Sequence, residues 1–89
     1  MSGVEIRCVQ EWMKKMYYER DKARGLYATF TWLVEEIGEL AEALLKGDKT
    51  LIEEEIADVV AWTLSIANLV GVDVEQALRR KYCIESCKG

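Results

Sequence analysis

LVEEIGEL (residues 33–40) is followed in the same chain by IEEEIADV (residues 52–59), nearly the same phrase written again. Aligned on Leu33 and Ile52, Glu35 pairs with Glu54, Glu36 with Glu55, Ile37 with Ile56, Gly38 with Ala57, Glu39 with Asp58 and Leu40 with Val59. Apolar residues three and four apart make both copies amphipathic helix. Each residue turns a helix by about 100°, so Glu36 and Glu39 fall roughly 60° apart, beside the apolar stripe. Glu55 and Asp58 take the same phase on the second copy. Glu35, Glu42 and Glu54 point away, where charge is cheaply solvated.

The copies belong to two helices that should fold back on each other. The first spans about Tyr27 to Lys46, with Leu33, Ile37, Leu40 and Leu44 as its stripe, and Gly47 stops it by taking the left-handed conformation past a helix end. The second starts at Thr50, with Glu53 completing a capping box, and runs to about Val70 before Gly71. Its stripe is Ile52, Ile56, Val59, Thr63 and Ile66. Because only GDK separates them, an antiparallel hairpin is expected. Glu39 and Asp58 then lie at similar distances from the turn, roughly 12 Å along each axis at 1.5 Å per residue, so the two acid pairs come to one level.

Two more helices complete the pattern. One covers about Val4 to Arg20, with Ile6, Val9, Trp12 or Met13, Met16 and Tyr17 inward, and ends near RDKARG. A short one follows Asp73 as N-cap, with Val74, Ala77, Leu78 and Tyr82 inward. The expectation is an all-α, four-helix single domain over residues 1–89 with a central antiparallel helical hairpin. A chain of 89 residues, 51% hydrophobic by type, builds a marginal core alone, so assembly into a helical-bundle homo-oligomer is expected.

Composition excludes several functions. A net charge of −4 disfavours nucleic acid as partner. No apolar run reaches the roughly 20 residues of a membrane helix and no signal-peptide layout opens the chain, which points to the cytoplasm. Cys8, Cys83 and Cys87 form no CxxC pair, so free thiols are the default and a bridge from Cys8 to the C-terminal pair is the alternative. There is no histidine, which removes the commonest general base and the Glu-x-x-His motif of di-iron bundles.

Chemistry in this chain is therefore carboxylate chemistry. Four acids converging at a core boundary repel one another and raise their pKa values unless a cation neutralises them. All-oxygen ligand sets suit hard cations, and Mg²⁺ commonly combines one or two carboxylates with waters and substrate phosphates. A lone ExxE says little, since acids decorate exposed helix faces everywhere; two in register across a hairpin say much more. Trp32 and Trp62 share the phase of the acids, where they either stack on a base or fill a helix interface.

EExxE followed by ExxD, here Glu35, Glu36, Glu39, then Glu55 and Asp58, resembles the MazG-like nucleotide pyrophosphohydrolases of the all-α NTP pyrophosphatase superfamily. TWLVEEIGELAEAL and EEIADVVAWTLSIANLVGVDVEQALRRKY extend the resemblance over about two thirds of the chain. It implies that Glu36, Glu39, Glu55 and Asp58 bind Mg²⁺, with Mn²⁺ as a substitute. The activity implied is hydrolysis of an NTP or dNTP between the α and β phosphates, to monophosphate and pyrophosphate. Glu35 would then help orient the attacking water, and Lys81 would reach the triphosphate as a point charge. Several relatives carry asparagine four residues after that lysine, where this chain has Glu85. Members of the family form dimers, often paired into tetramers, so a homodimer or homotetramer acting on a nucleoside triphosphate is the expectation. The alternatives are a non-catalytic helical dimerisation module and a nucleotide sensor without turnover.

Overall fold

The computed structural model describes residues 5–85. They form α1 (Ile6–Arg24), α2 (Leu26–Lys46), α3 (Lys49–Val70) and α4 (Val74–Tyr82), with no strand among the described residues. Val4 and Cys87, both named above, lie outside them.

The helix boundaries depart from expectation at two places, each for a local reason. α1 runs through the RDKARG cluster to Arg24, because Arg, Lys and Ala are good helix formers and nothing there breaks the ladder. It ends only at Gly25, whose φ of 99° and ψ of 156° lie in a region open essentially to glycine. α2 begins at the next residue, with no loop between. α3 is capped not by Thr50 but by Asp48, whose carboxylate accepts the N–H groups of Thr50 at 3.1 Å and Leu51 at 3.3 Å. A carboxylate is the better cap here because its charge also faces the positive end of the helix dipole. Asp73 caps α4 as expected, accepting the N–H of Gln76 at 3.1 Å. That bond, with Arg7, holds Asp73 below the usual carboxylate range.

α2 and α3 pack along their lengths, residues early in α2 meeting residues late in α3: Trp32 stacks with Trp62, while Ala43 and Leu51 line one groove nearer the Gly47 turn. α1 lies chiefly on α3, and α4 reaches back to α1. Gln10 joins three of these elements. Its amide donates to Asn68 Oδ1 at 3.0 Å and to the Val72 carbonyl at 2.7 Å, and its Oε1 accepts the N–H of Val74 at 3.0 Å. Arg7 adds an exposed pair of contacts to Asp73 and Glu75.

The buried hydrophobic residues among those described are Leu33, Ala43, Leu64 and Ala67. The expected stripes are only partly covered: Ile37, Leu44 and Ile56 stay about half exposed, Tyr82 is exposed, and Ile52, Val59 and Ile66 are intermediate. Side-chain phase is a property of each helix alone, whereas burial depends on which face a neighbour covers, and three longer helices with one short one leave much of α2 uncovered. No single helix among the described residues is long and apolar enough to cross a membrane. Cys8 and Cys83 are free, exposed thiols.

Candidate metal centre

The acid pairs meet where α2 and α3 face each other. Carboxylate oxygens of Glu36, Glu39 and Glu55 lie within 4.8 Å of one another. Two of them, Glu36 Oε2 and Glu55 Oε2, are buried with no hydrogen-bond donor, and none of the four acids pairs with a Lys or Arg among the described residues. A buried carboxylate oxygen without a donor is costly, and a wall of acceptors can be satisfied only by a proton or a cation.

The electrostatics record that conflict. Burial pushes the Glu36 carboxyl up to about 7, helped by its side-chain contacts with Glu55 and Glu39 and by the charges of Glu39 and Asp58. Glu55 is raised as well, through desolvation and the charges of Glu39 and Asp58, against the opposing contact with Glu36. Asp58 thus acts electrostatically on both of these partly exposed acids while standing outside the tight triad. The ligand set is all carboxylate oxygen, which suits a hard divalent cation. An open groove of about 220 Å³ adjoins the acids, lined by Glu39, Glu42, Ala43, Lys46, Leu51 and Glu55.

Beyond the acids, one helical turn toward the other end, Trp32 and Trp62 stack with ring centroids 6.3 Å apart and planes 15° from parallel. Trp32 keeps 45% of its surface exposed. The guanidinium of Arg24 lies over the Trp62 ring at 5.2 Å. Aromatic pair, acids and groove therefore follow one another along the same helix pair.

Two of the residues singled out from the sequence stand apart from this cluster. Glu35 is exposed, as its helical phase requires. Lys81 is exposed on α4, its ammonium over the ring of neighbouring Tyr82 at 5.8 Å. Arg24 and Asp21 carry no sequence signal of their own, since charges in an RDKAR run look like a solvated face. The available signal was Gly25, which marks a corner where α1 must carry its last turn against the other helices.

A family model described as the MazG nucleotide pyrophosphohydrolase domain matches residues 24–82. The chain belongs to that family. The match spans all four acids, both tryptophans and Lys81. A relative of this MazG domain, the dATP/dGTP diphosphohydrolase of Cyanophage S-2L, is 40% identical over 60 residues. That stretch covers 67% of this chain and 53% of the relative, so the MazG domain here spans about half the length of the curated relative it matches.

Proposed function

We propose that the chain is a divalent-metal-dependent nucleotide pyrophosphohydrolase, cleaving an NTP or dNTP between the α and β phosphates to yield a monophosphate and pyrophosphate. The observation that carries this reading is the pair of donorless buried carboxylate oxygens, Glu36 Oε2 and Glu55 Oε2, on two acids that cluster with Glu39 in a MazG-family chain. Glu36, Glu39, Glu55 and Asp58 would hold Mg²⁺, or Mn²⁺ in its place. Once bound, the cation would neutralise phosphate charge and lower the pKa of an attacking water. Because phosphoryl transfer is mainly positioning and charge stabilisation, the remaining work falls to side chains that place the substrate.

Trp32 and Trp62 would take the nucleobase on an indole face, and purine deoxynucleoside triphosphates are the first substrates to try, in view of the activity named for the phage relative. Lys81 would contact the phosphates. Glu35 would orient the water if a second subunit covered its face. The wider reading is a single domain over residues 1–89 in which α2 and α3 form an antiparallel hairpin, working as a homodimer or homotetramer in the cytoplasm on the nucleotide pool.

Pyrophosphate release from a panel of NTPs and dNTPs, with Mg²⁺ and then with EDTA, tests the proposal; inactivity toward all of them with Mg²⁺ or Mn²⁺ present counts against it. The extensive exposed apolar surface of α2 favours, as a second reading, a non-catalytic dimerisation module. Calorimetry separates the two, since such a module takes up neither cation nor nucleotide stoichiometrically.

A further inference from the structure

The corner between α1 and α2 contains an ion pair between a buried carboxylate and a partly buried guanidinium. The Asp21 side chain is 4% exposed and that of Arg24 is 23% exposed. Arg24 Nη1 donates to Asp21 Oδ1 at 3.1 Å and to Thr29 Oγ1 at 3.4 Å. Thr29, wholly buried, donates its own hydroxyl proton to the Gly25 carbonyl at 2.8 Å. Held this way through one nitrogen, the guanidinium lies with its carbon 5.2 Å from the centre of the Trp62 ring.

Turning the chain does not require this arrangement. Gly25 makes the corner through its backbone conformation, with its N–H donating to the Asp21 carbonyl at 2.9 Å and its own carbonyl accepting the N–H of Thr29 at 3.0 Å. Sinking a carboxylate nearly out of water is expensive unless its partner is fixed in good geometry. What the burial achieves is the orientation of a planar cation on an indole, a contact that strengthens where water is excluded. That indole is stacked on Trp32, which is open to solvent.

We propose that Asp21 and Arg24 are positioning residues for the nucleobase subsite. Asp21 fixes Arg24, Arg24 fixes the Trp62 ring, and the stacked pair then meets a planar base already ordered. The proposal rests on reading Trp32 and Trp62 as the base platform. Ordering the platform in advance removes side-chain entropy from the binding step. Since Arg24 makes no hydrogen bond or ion pair with the acid cluster among the described residues, its loss acts on substrate capture and leaves the chemical step alone.

The test compares Arg24→Met, which keeps the stem without the cation, and Arg24→Lys, which keeps the charge without the fork. Circular dichroism of the full chain reads the exciton coupling of the two stacked indoles, with Trp32→Phe defining its absence. Steady-state hydrolysis of dATP and dGTP reads KM and kcat. The expected result for Arg24→Met is loss of most of the couplet and a KM about tenfold higher at unchanged kcat. Arg24→Lys falls between Met and wild type, and carries the test by itself if Arg24→Met does not fold.

A couplet and KM that stay at wild-type values in folded variants overturn the role given to Arg24. A kcat that falls while KM holds overturns it too. If the couplet drops but wild-type protein neither binds nor hydrolyses any nucleotide, the failure lies in the base-platform reading, and the proposal falls with it.

Discussion

Glu36 is the residue at which fold and chemistry pull apart. Its carboxyl titrates near 7 in the folded chain against an ordinary value of 4.5, so between these limits the unfolded chain gives up its proton first. Stability of the cation-free protein therefore falls as pH rises from about 4.5 to about 7 and levels off above. Because Glu36 is partly exposed, the effect is discounted to about 1 kcal/mol, or roughly 4–8 °C in Tm for a chain of this size. Glu36→Gln should recover that amount at about pH 8 and nothing at about pH 4, measured by thermal melts in EDTA. Adding Mg²⁺ should raise the wild-type Tm and leave Glu36→Gln nearly unmoved. Glu39→Gln should reduce pyrophosphate release by roughly 100-fold or more while the protein remains folded, since one anionic contact to the cation is lost. These acids were legible in the sequence because their placement needs only the period of a helix and the shortness of the GDK connection. Asp21 and Arg24 were not, because whether a charge is buried depends on a neighbour from another helix.

Among the helices, the most instructive discrepancy is the start of α3. Thr50 and Glu53 fit the capping-box pattern, yet Asp48 accepts the first free N–H groups, and α3 begins one residue before Thr50. Pattern alone cannot rank two candidate caps two residues apart; the chain direction out of Gly47, with φ of 69°, settles which one reaches the helix end. Asp48→Ala should cost about 1 kcal/mol in urea unfolding, and Thr50→Ala only a few tenths. Equal losses would restore the capping box. The glycine stops after α2 and α3 were legible because few residues other than glycine take a left-handed cap readily, whereas the polarity of the run from Arg20 to Arg24 suggests a terminus although helices tolerate it well.

At the scale of the whole molecule the chain is open for its length. Its radius of gyration is 14.4 Å, against about 12 Å for a compact chain of 89 residues. Tyr27, Phe30, Val34, Ile37, Leu44 and Leu45 on α2 all stand at least about half exposed, Leu45 at 89%. These residues recur along one face of α2, the kind of exposed apolar patch that suits the self-association proposed above. Sedimentation velocity should give at least twice the chain mass for wild type, and Val34→Glu should shift it toward the monomer with a lower Tm. The four-helix class was readable from periodicity, but the uncovered face of α2 was not, since a stripe announces that it must be covered without naming the cover. The direct passage from α1 into α2 at Gly25 carries a last consequence, for tolerance to changes in length. With a single residue at that corner, an inserted residue would have to be taken up by shifting α1 relative to α2, moving Arg24 from the indole and Gln10 from its partners together. Insertions beside Gly25 should lower Tm in thermal melts and raise KM in steady-state hydrolysis together.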